Sequence, residues 1–279
     1  MTRQPDYQRD TEFTKLLARQ SDVDLTLAAL ELARDAYPEF DFRAPLEWID
    51  ARADEIAGAV ATARDEKHAL RELGRCLAEQ HGIRGDDQAY EDPDASCLHR
   101  VIETGRGLPI SLSILYMAVG ERLRIELKGV SAPRHFLTRY EAAEGPLFVD
   151  AFSGGRVLDE TACARWVQKL SGCNEEDVSR ALEPATPRTI IVRMLNNLKA
   201  LYTRREDWLA AWRVQHRLSA LHPASYQERR DLAVVSLRAN RPGQAIDLLE
   251  SCLRACPPDE QPALRTHLDA AGVQLARWN

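Results

Sequence analysis

The stretch from Gly105 to Val119 constrains the fold more than any other part of the sequence. Gly105 and Gly107 interrupt whatever element precedes it, and Pro109 stands where the first residue of a helix would lie. Proline suits that position because its fixed φ is helical and its missing N–H would have no partner there. Residues 110–119 are apolar on nearly every side. This pattern predicts a helix buried at the centre of a domain.

The start of that predicted helix is also a place where chemistry can be supported. The first turn of a helix carries unpaired backbone N–H groups and a partial positive charge, which favour an anion or a nucleophile. Ser111 is the hydroxyl nearest to this point. About 100° of rotation per residue turns Ser111 by roughly 200° from Pro109, so a backbone hydrogen bond is the expected role of its side chain.

The composition is that of an ordinary globular protein. The chain has 279 residues and a formal net charge of −6, which gives no reason to expect nucleic acid as a partner. Acidic residues dominate before residue 184 and basic residues dominate after it. The two halves are expected to attract each other, and the alternative is an acidic partner for the basic end.

The cysteines and the N-terminus predict a reducing location and no cofactor. Six cysteines show no Cys-x-x-Cys pairing and no nearby histidine at metal-ligand spacing, so neither a metal site nor a disulfide is expected. Residues 1–10 lack the apolar core of a signal peptide, and no apolar run is long enough to span a membrane. We expect a cytoplasmic protein without a membrane partner.

Most of the first hundred residues are predicted to form a helical N-terminal layer. Apolar residues recur at helical spacing over residues 11–36 and again over 45–80, the second block as two helices. Residues 85–94 are rich in turn formers and predict a loop. A short helix is expected from Ser96 to Glu103, directly before the central element.

Strands are predicted after the central helix. Residues 128–131 resemble the end of a strand, and residues 135–140 and 147–152 predict a hairpin with its turn inside 141–146. Facing residues of an antiparallel hairpin are equidistant from its turn. His135 and Asp150 are equidistant from a point between Ala142 and Ala143, inside that segment, so we expect them to face each other with Cβ atoms roughly 5 Å apart.

The last third of the chain contains an internal repeat. After a turn at 153–155 and a helix over 159–171, residues 172–187 are the expected linker, which predicts domains at 1–183 and 188–279. Three pairs are each separated by 34 residues, at the offsets of a tetratricopeptide unit: Leu198 and Leu232, Ala211 and Ala245, Pro223 and Pro257. Residues 262–278 would form the capping helix that such arrays need.

Several of these segments together resemble the SirB-type transglutaminase-like proteins of bacteria. The matching segments are 90–93, 96–102, 107–113, 132–137, 149–155 and 193–199. The resemblance implies an α+β fold: a papain-like transglutaminase core with a central helix on a small antiparallel sheet, a helical N-terminal layer and a helical tetratricopeptide-like C-terminal region. It also implies that His135 and Asp150 match the catalytic His and Asp of transglutaminase-like enzymes.

The nucleophile position of those enzymes falls on Pro109, which has no nucleophilic side chain, and the SirB-type proteins share this departure. Two hypotheses follow for His135 and Asp150. In the first, the pair is a structural remnant in a non-catalytic protein-binding or regulatory module, whose partner is a protein or peptide bound by the cleft and the repeats. In the second, the chain is a hydrolase or acyltransferase in which the pair acts with water, Ser111 or Cys97.

The cleft itself has candidate binding residues beside this pair. Arg106 and Arg134 flank the two motifs, and with the helix start at Pro109 and Ser111 they could hold a carboxylate or the C-terminal end of a peptide. Phe152 closes the second predicted strand and is included with them. The sequence leaves the oligomeric state and the openness of the cleft undecided.

Overall fold

The computed structural model describes residues 7–277, which separate into two compact units. One unit comprises residues 21–194, and the other comprises residues 7–20 together with 195–277. The sequence predicted independent domains at 1–183 and 188–279. That these segments fold independently stays a prediction.

Helices account for most of the described chain. In chain order they are α1 Thr11–Leu17, α2 Leu25–Ala33, α3 Arg43–Ala61, α4 Glu66–Gly74, α5 Leu98–Thr104, α6 Pro109–Arg122, α7 Glu160–Ser171, α8 Glu175–Ala181, α9 Pro187–Arg204, α10 Trp208–Leu221, α11 Tyr226–Arg238, α12 Pro242–Leu253 and α13 Gln261–Ala276. A π-helical segment, Arg75–Gln80, continues α4, and two 3₁₀ turns, Asp87–Glu91 and Pro93–Ser96, precede α5.

The central helix is confirmed. Helix α6 begins at Pro109, as predicted, and Leu112, Leu115 and Tyr116 are fully buried. They share one apolar cluster with α3, α4 and the strand residue Val149. A helix that is apolar all round is stable only when other elements cover every side of it, which explains its place in the middle of this unit.

A four-stranded antiparallel sheet packs against this helix. Its strands are β3 Lys128–Val130, β4 Leu137–Ala142, β5 Gly145–Asp150 and β6 Arg156–Asp159, in the order β3-β4-β5-β6. Two further strands of two residues each, β1 Arg84–Gly85 and β2 Arg106–Gly107, pair in parallel. The α+β class predicted from the sequence is therefore confirmed.

The hairpin register differs from the predicted one. Ala142 pairs with Gly145 and Thr138 pairs with Val149, so the turn has two residues and its centre lies one position later than expected. Gly145, with φ of +117°, allows this tight turn where a longer loop was predicted. Strand β4 starts at Leu137, and His135 lies in the loop before it.

The segment predicted as a linker is packed. Residues 175–181 form α8, whose Val178 is buried against Leu137 and Phe148 of the sheet and Cys163 of α7. Helix α7 begins directly after Asp159, whose side chain accepts a hydrogen bond from the N–H of Ala162. Strand β6, just before it, was not predicted because it has only four residues, two of them charged.

Helical repeats form the other unit. Ala211 in α10 and Ala245 in α12 are both fully buried at the expected offset, and the Trp212 indole N–H donates to Gln244 Oε1 at 2.9 Å. Helix α13 follows as the predicted cap, although Trp278, at its expected end, lies outside the described residues.

An ion pair is buried inside this same unit. Arg217 of α10 reaches Asp10, which precedes α1, at 2.8 Å, and the guanidinium lies over the rings of Tyr7 and Phe13. Residues 7–20 are thereby tied to α10.

Within residues 7–277, no helix combines the length and apolar character needed to cross a membrane.

Candidate functional site

His135 and Asp150 meet in the interior of the unit formed by residues 21–194. The distance between His135 Nε2 and Asp150 Oδ1 is 2.9 Å. Asp150 is the last residue of β5 and has no exposed surface, while His135, in the loop before β4, is 6% exposed. The side-chain pairing expected from the sequence is present, although the strand register that was used to predict it is not.

Three donors surround the Asp150 carboxylate. Besides His135, the N–H of Ser153 donates to Oδ1 at 3.2 Å and Arg156 Nη2 donates to Oδ2 at 3.1 Å. Burial alone would raise the pKa of Asp150, but the hydrogen bonds from His135 and Ser153 and the charge of His135 bring it below its ordinary value. Asp150 is therefore ionised at neutral pH and can only accept hydrogen bonds, so Nε2 of His135 carries a proton.

Two aromatic rings hold the His135 imidazole in place. The ring of Trp166, from α7, lies at 4.9 Å from it and the ring of Phe152 at 5.9 Å, both edge to face. Within residues 7–277 the structure gives Nδ1 of His135 no hydrogen bond. In the neutral ring this nitrogen is the acceptor, which is the position required of a general base.

Arg193 fixes the loop that carries His135. Its Nη1 donates to Ser131 Oγ at 2.7 Å and to the carbonyl of Ala132 at 2.9 Å, and its Nη2 donates to the carbonyl of His135 at 2.7 Å. Burial lowers the pKa of Arg193, and its guanidinium lies over the ring of Phe136. This residue of α9 thus sets the path of the backbone on both sides of the turn at Arg134.

The start of α6 presents no free nucleophile. Pro109 is the first residue of the helix, and both it and Ser111 are buried. The Ser111 hydroxyl lies 2.6 Å from the carbonyl of Ala95 and 3.1 Å from that of Leu108. A hydroxyl has one proton to donate, so these carbonyls engage it, and no described contact joins it to His135.

Cys97 is likewise engaged elsewhere. Its sulfur lies 3.9 Å from the carbonyl of Pro93, and the residue is 8% exposed. Burial, followed by the charges of Asp94 and Asp92, raises the pKa of the Cys97 thiol to about 12. A thiol with that pKa is protonated at neutral pH and is a poor nucleophile.

The two candidate arginines are not brought together. Arg106 forms an ion pair with Asp86 at 3.2 Å and lines a cavity of about 540 Å³ with Arg84 and Thr104. Arg134 is exposed, with a positive φ of 60°, and its side chain has no partner within the described part of the chain. Neither arginine has a described contact with His135 or Asp150.

Sequence reasoning missed several residues that shape this site. Arg156 and Trp166 carried no recognisable pattern, since each is a single residue outside any motif of the sequence. Tyr90 and Arg193 did lie in segments that matched the SirB-type pattern, but without an assigned role. Tyr90 is 44% exposed and its ring lies 6.0 Å from that of Phe152, so the two form an accessible aromatic rim beside His135.

The fold and this His–Asp pair define a transglutaminase-like domain followed by tetratricopeptide repeats. Residues 44–196 match the transglutaminase-like superfamily, and residues 198–271 match the tetratricopeptide repeat. The chain therefore belongs to the transglutaminase-like superfamily. Its relatives include a UPF0162 protein and protein SirB1, which confirms the SirB-type resemblance inferred from the sequence.

The relatives are mainly bacterial. A UPF0162 protein of Xylella fastidiosa (strain Temecula1) is 33% identical over 246 residues, which cover 86% of this chain and 88% of that protein. Protein SirB1 of Salmonella typhimurium is 25% identical over 213 residues, 74% of this chain and 79% of that protein. F-box only protein 21 of mouse is 25% identical over 239 residues, 82% of this chain and 35% of that protein. No solved structure matches the chain significantly.

Proposed function

We propose that this chain is a non-catalytic partner-binding protein built on a transglutaminase-like domain. One observation carries the proposal: the residue at the nucleophile position is Pro109, and the nearest alternatives, Ser111 and Cys97, are engaged with backbone carbonyls. The His135–Asp150 pair then serves to fix the loop before β4, where it joins two segments of chain within the core.

The proposed partner is a protein or peptide. Two features support this class: tetratricopeptide repeats generally mediate protein–protein contacts, and the aromatic rim of Tyr90 and Phe152 offers accessible apolar surface to an extended chain. The net charge of the chain gives no support to a nucleic-acid partner. A cytoplasmic location is part of the proposal, because all six cysteines are free thiols.

A comparison of turnover between wild type and His135→Ala tests the proposal. Both proteins are incubated with a glutamine-containing peptide plus a fluorescent amine, and separately with ester and amide substrates. We expect wild type and the variant to give the same rate as buffer in every assay. A rate in wild type that His135→Ala abolishes, with folding verified by circular dichroism, would contradict a non-catalytic function.

Binding is tested separately with a photo-reactive residue. A benzoylphenylalanine placed at Tyr90 should crosslink a discrete protein in cells of a bacterium that carries this gene, whereas the same residue at Leu170, which is exposed on α7, should not. Equal crosslinking from both positions, or none from either, argues against recognition at the aromatic rim.

One observation favours a second candidate, a water-using hydrolase. Asp150 holds Nε2 of His135 protonated and leaves Nδ1 as the acceptor, which is the arrangement of a general base. In this case the turnover assays would show a slow rate that falls in Asp150→Asn as well as in His135→Ala. Ser111→Ala and Cys97→Ala would leave that rate unchanged, because neither side chain has a described contact with His135.

A further inference from the structure

A second group of reactive side chains lies away from the His135–Asp150 pair. Glu55 of α3, Cys76 of the π-helical segment and His81 directly after it bring one ligand atom each to within 4.8 Å of one another. Glu55 Oε2 lies 2.9 Å from His81 Nε2. Carboxylate oxygen, thiolate sulfur and imidazole nitrogen are the three donor types from which zinc sites in proteins are built.

The π-helical segment is what brings two of these residues together. Cys76 and His81 are five positions apart, a spacing that an α-helix would separate by about 140° around its axis. The N–H of His81 instead bonds to the carbonyl of Cys76 at 3.1 Å, which closes a wider turn and stacks the two residues. For this reason the sequence argument, which assumed ordinary spacing, discounted a metal site.

The exposure of the three residues suits an ion that enters from solvent. The side chains of His81 and Glu55 are 26% and 36% exposed, while Cys76 is fully buried beneath them. Donor atoms bound to one tetrahedral zinc ion lie about 3.5 Å apart. The present separations, all within 4.8 Å, reach that value if the side chains of Glu55 and His81 rotate toward the sulfur.

The surrounding charges affect the strength of the site. Arg52 forms an ion pair with Glu55 at 2.9 Å. This ion pair must weaken when the Glu55 carboxylate binds a metal ion. Burial, followed by the charge of Glu55, raises the pKa of the Cys76 thiol to about 11. A metal ion binds the thiolate form of cysteine, so metal binding replaces the thiol proton, which passes to solvent.

From this juxtaposition of Glu55, Cys76 and His81 we propose a binding site for one divalent ion of the zinc type. The fourth position is open to water on the exposed side. A bound ion would join α3 to the segment after α4 and would stabilise the helical layer over α6. This proposal is independent of the proposed partner-binding function.

Cobalt titration of the reduced, full-length protein tests the site. Cobalt replaces zinc in such sites and shows a thiolate-to-metal charge-transfer band when a cysteine is a ligand. We expect one equivalent of Co²⁺ to produce this band, and one equivalent of Zn²⁺ to remove it. Cys76→Ser should abolish the band, whereas Cys163→Ser, which alters another fully buried thiol, should retain it.

A second variant guards against loss of folding at the buried cysteine. His81→Gln changes a partly exposed side chain and should weaken Zn²⁺ affinity, measured against a chromogenic chelator, by at least about tenfold. His68→Gln on α4 is the matched control and should leave the affinity unchanged. Absence of the band in wild type, its persistence in Cys76→Ser, or equal affinities of the two histidine variants would overturn the proposal.

Discussion

Asp150 shows at the residue scale how much of this site depends on the loops at either end of the β4–β5 hairpin. Its carboxylate is buried with donors from His135, Ser153 and Arg156. A buried charge is tolerated only when such partners satisfy it. The pair is therefore coupled to folding whether or not it performs chemistry.

This coupling predicts a pH dependence of stability. The pKa of Asp150 in the folded protein is lower than its ordinary value of 3.8. Its stabilising contribution is therefore present above pH 3.8 and is lost as the pH falls through the folded pKa. We expect Asp150→Asn to reduce the free energy of unfolding by about 1–3 kcal/mol at pH 7, and by less as the pH falls below 3.8. Urea denaturation at a series of pH values measures this, and a constant difference at every pH would contradict it.

Arg193 gives a second prediction at this scale. Arg193→Met removes the donors to two backbone carbonyls around His135, and each carbonyl left without a partner costs about 1–3 kcal/mol. We expect a lower urea midpoint and faster hydrogen exchange for the amides of residues 131, 132 and 134–136. The matched variant Arg64→Met alters a guanidinium that is 73% exposed and should change neither measurement. Unaltered exchange in Arg193→Met would show that the loop keeps its conformation without the guanidinium.

At the scale of elements, the turn between β5 and β6 is fitted against α4. Gly154 and Gly155 both have positive φ, +72° and +77°. A Cβ on Gly155 would lie 2.5 Å from Gly74 Cα and 3.0 Å from the Tyr116 hydroxyl, whereas a Cβ on Gly154 would meet Ala78 at an ordinary 3.8 Å. Gly154 and Gly155 therefore both have a left-handed backbone conformation, but only Gly155 lacks room for a Cβ atom.

The two glycines allow these effects to be separated. Gly154→Ala should cost about 1–2 kcal/mol, the usual penalty of a left-handed backbone with a side chain. Gly155→Ala should cost about 1–3 kcal/mol more, because α4 must move away from the turn. Thermal unfolding of both variants measures the difference, and equal melting temperatures would mean that α4 yields easily.

The elements themselves were largely predictable, and their junctions were not. Pro109 and the apolar run after it are local features, so the central helix could be placed from sequence alone. The start of β4 depends on Arg134, whose positive φ nothing in an arginine side chain indicates. Likewise the π-helical turn after Gly74 has no sequence pattern, and the approach of Arg156 to Asp150 depends on strand β6, which was not predicted.

At the scale of the whole molecule, residues 7–20 fold with the repeats. Asp10 and Arg217 are 207 positions apart and form a buried ion pair within one compact unit. The sequence suggested helical structure over residues 11–36 but contained nothing to assign the first part of it to a distant part of the chain. The periodicity of apolar residues predicts helices, but it does not predict contacts between segments so far apart in the sequence.

Removal of one partner of that pair should be costly. Asp10→Asn removes the negative charge of the ion pair with the buried Arg217 guanidinium and should lower stability by about 3 kcal/mol, with faster hydrogen exchange in α10. Asp269→Asn, an exposed change in α13 of the same unit, should stay within about 0.5 kcal/mol of wild type. If both variants unfold alike, the N-terminal segment is not integral to the repeats.

The close approach of Gly74 and Gly155 also restricts how this protein can diverge. A side chain at either position meets backbone at the other, so a single substitution at one cannot be compensated by a single substitution at its partner. Replacement of both glycines by larger residues would require α4 to move away from the turn between β5 and β6. Among descendants of a common ancestor, these two positions are therefore expected to stay glycine together or to change together with α4.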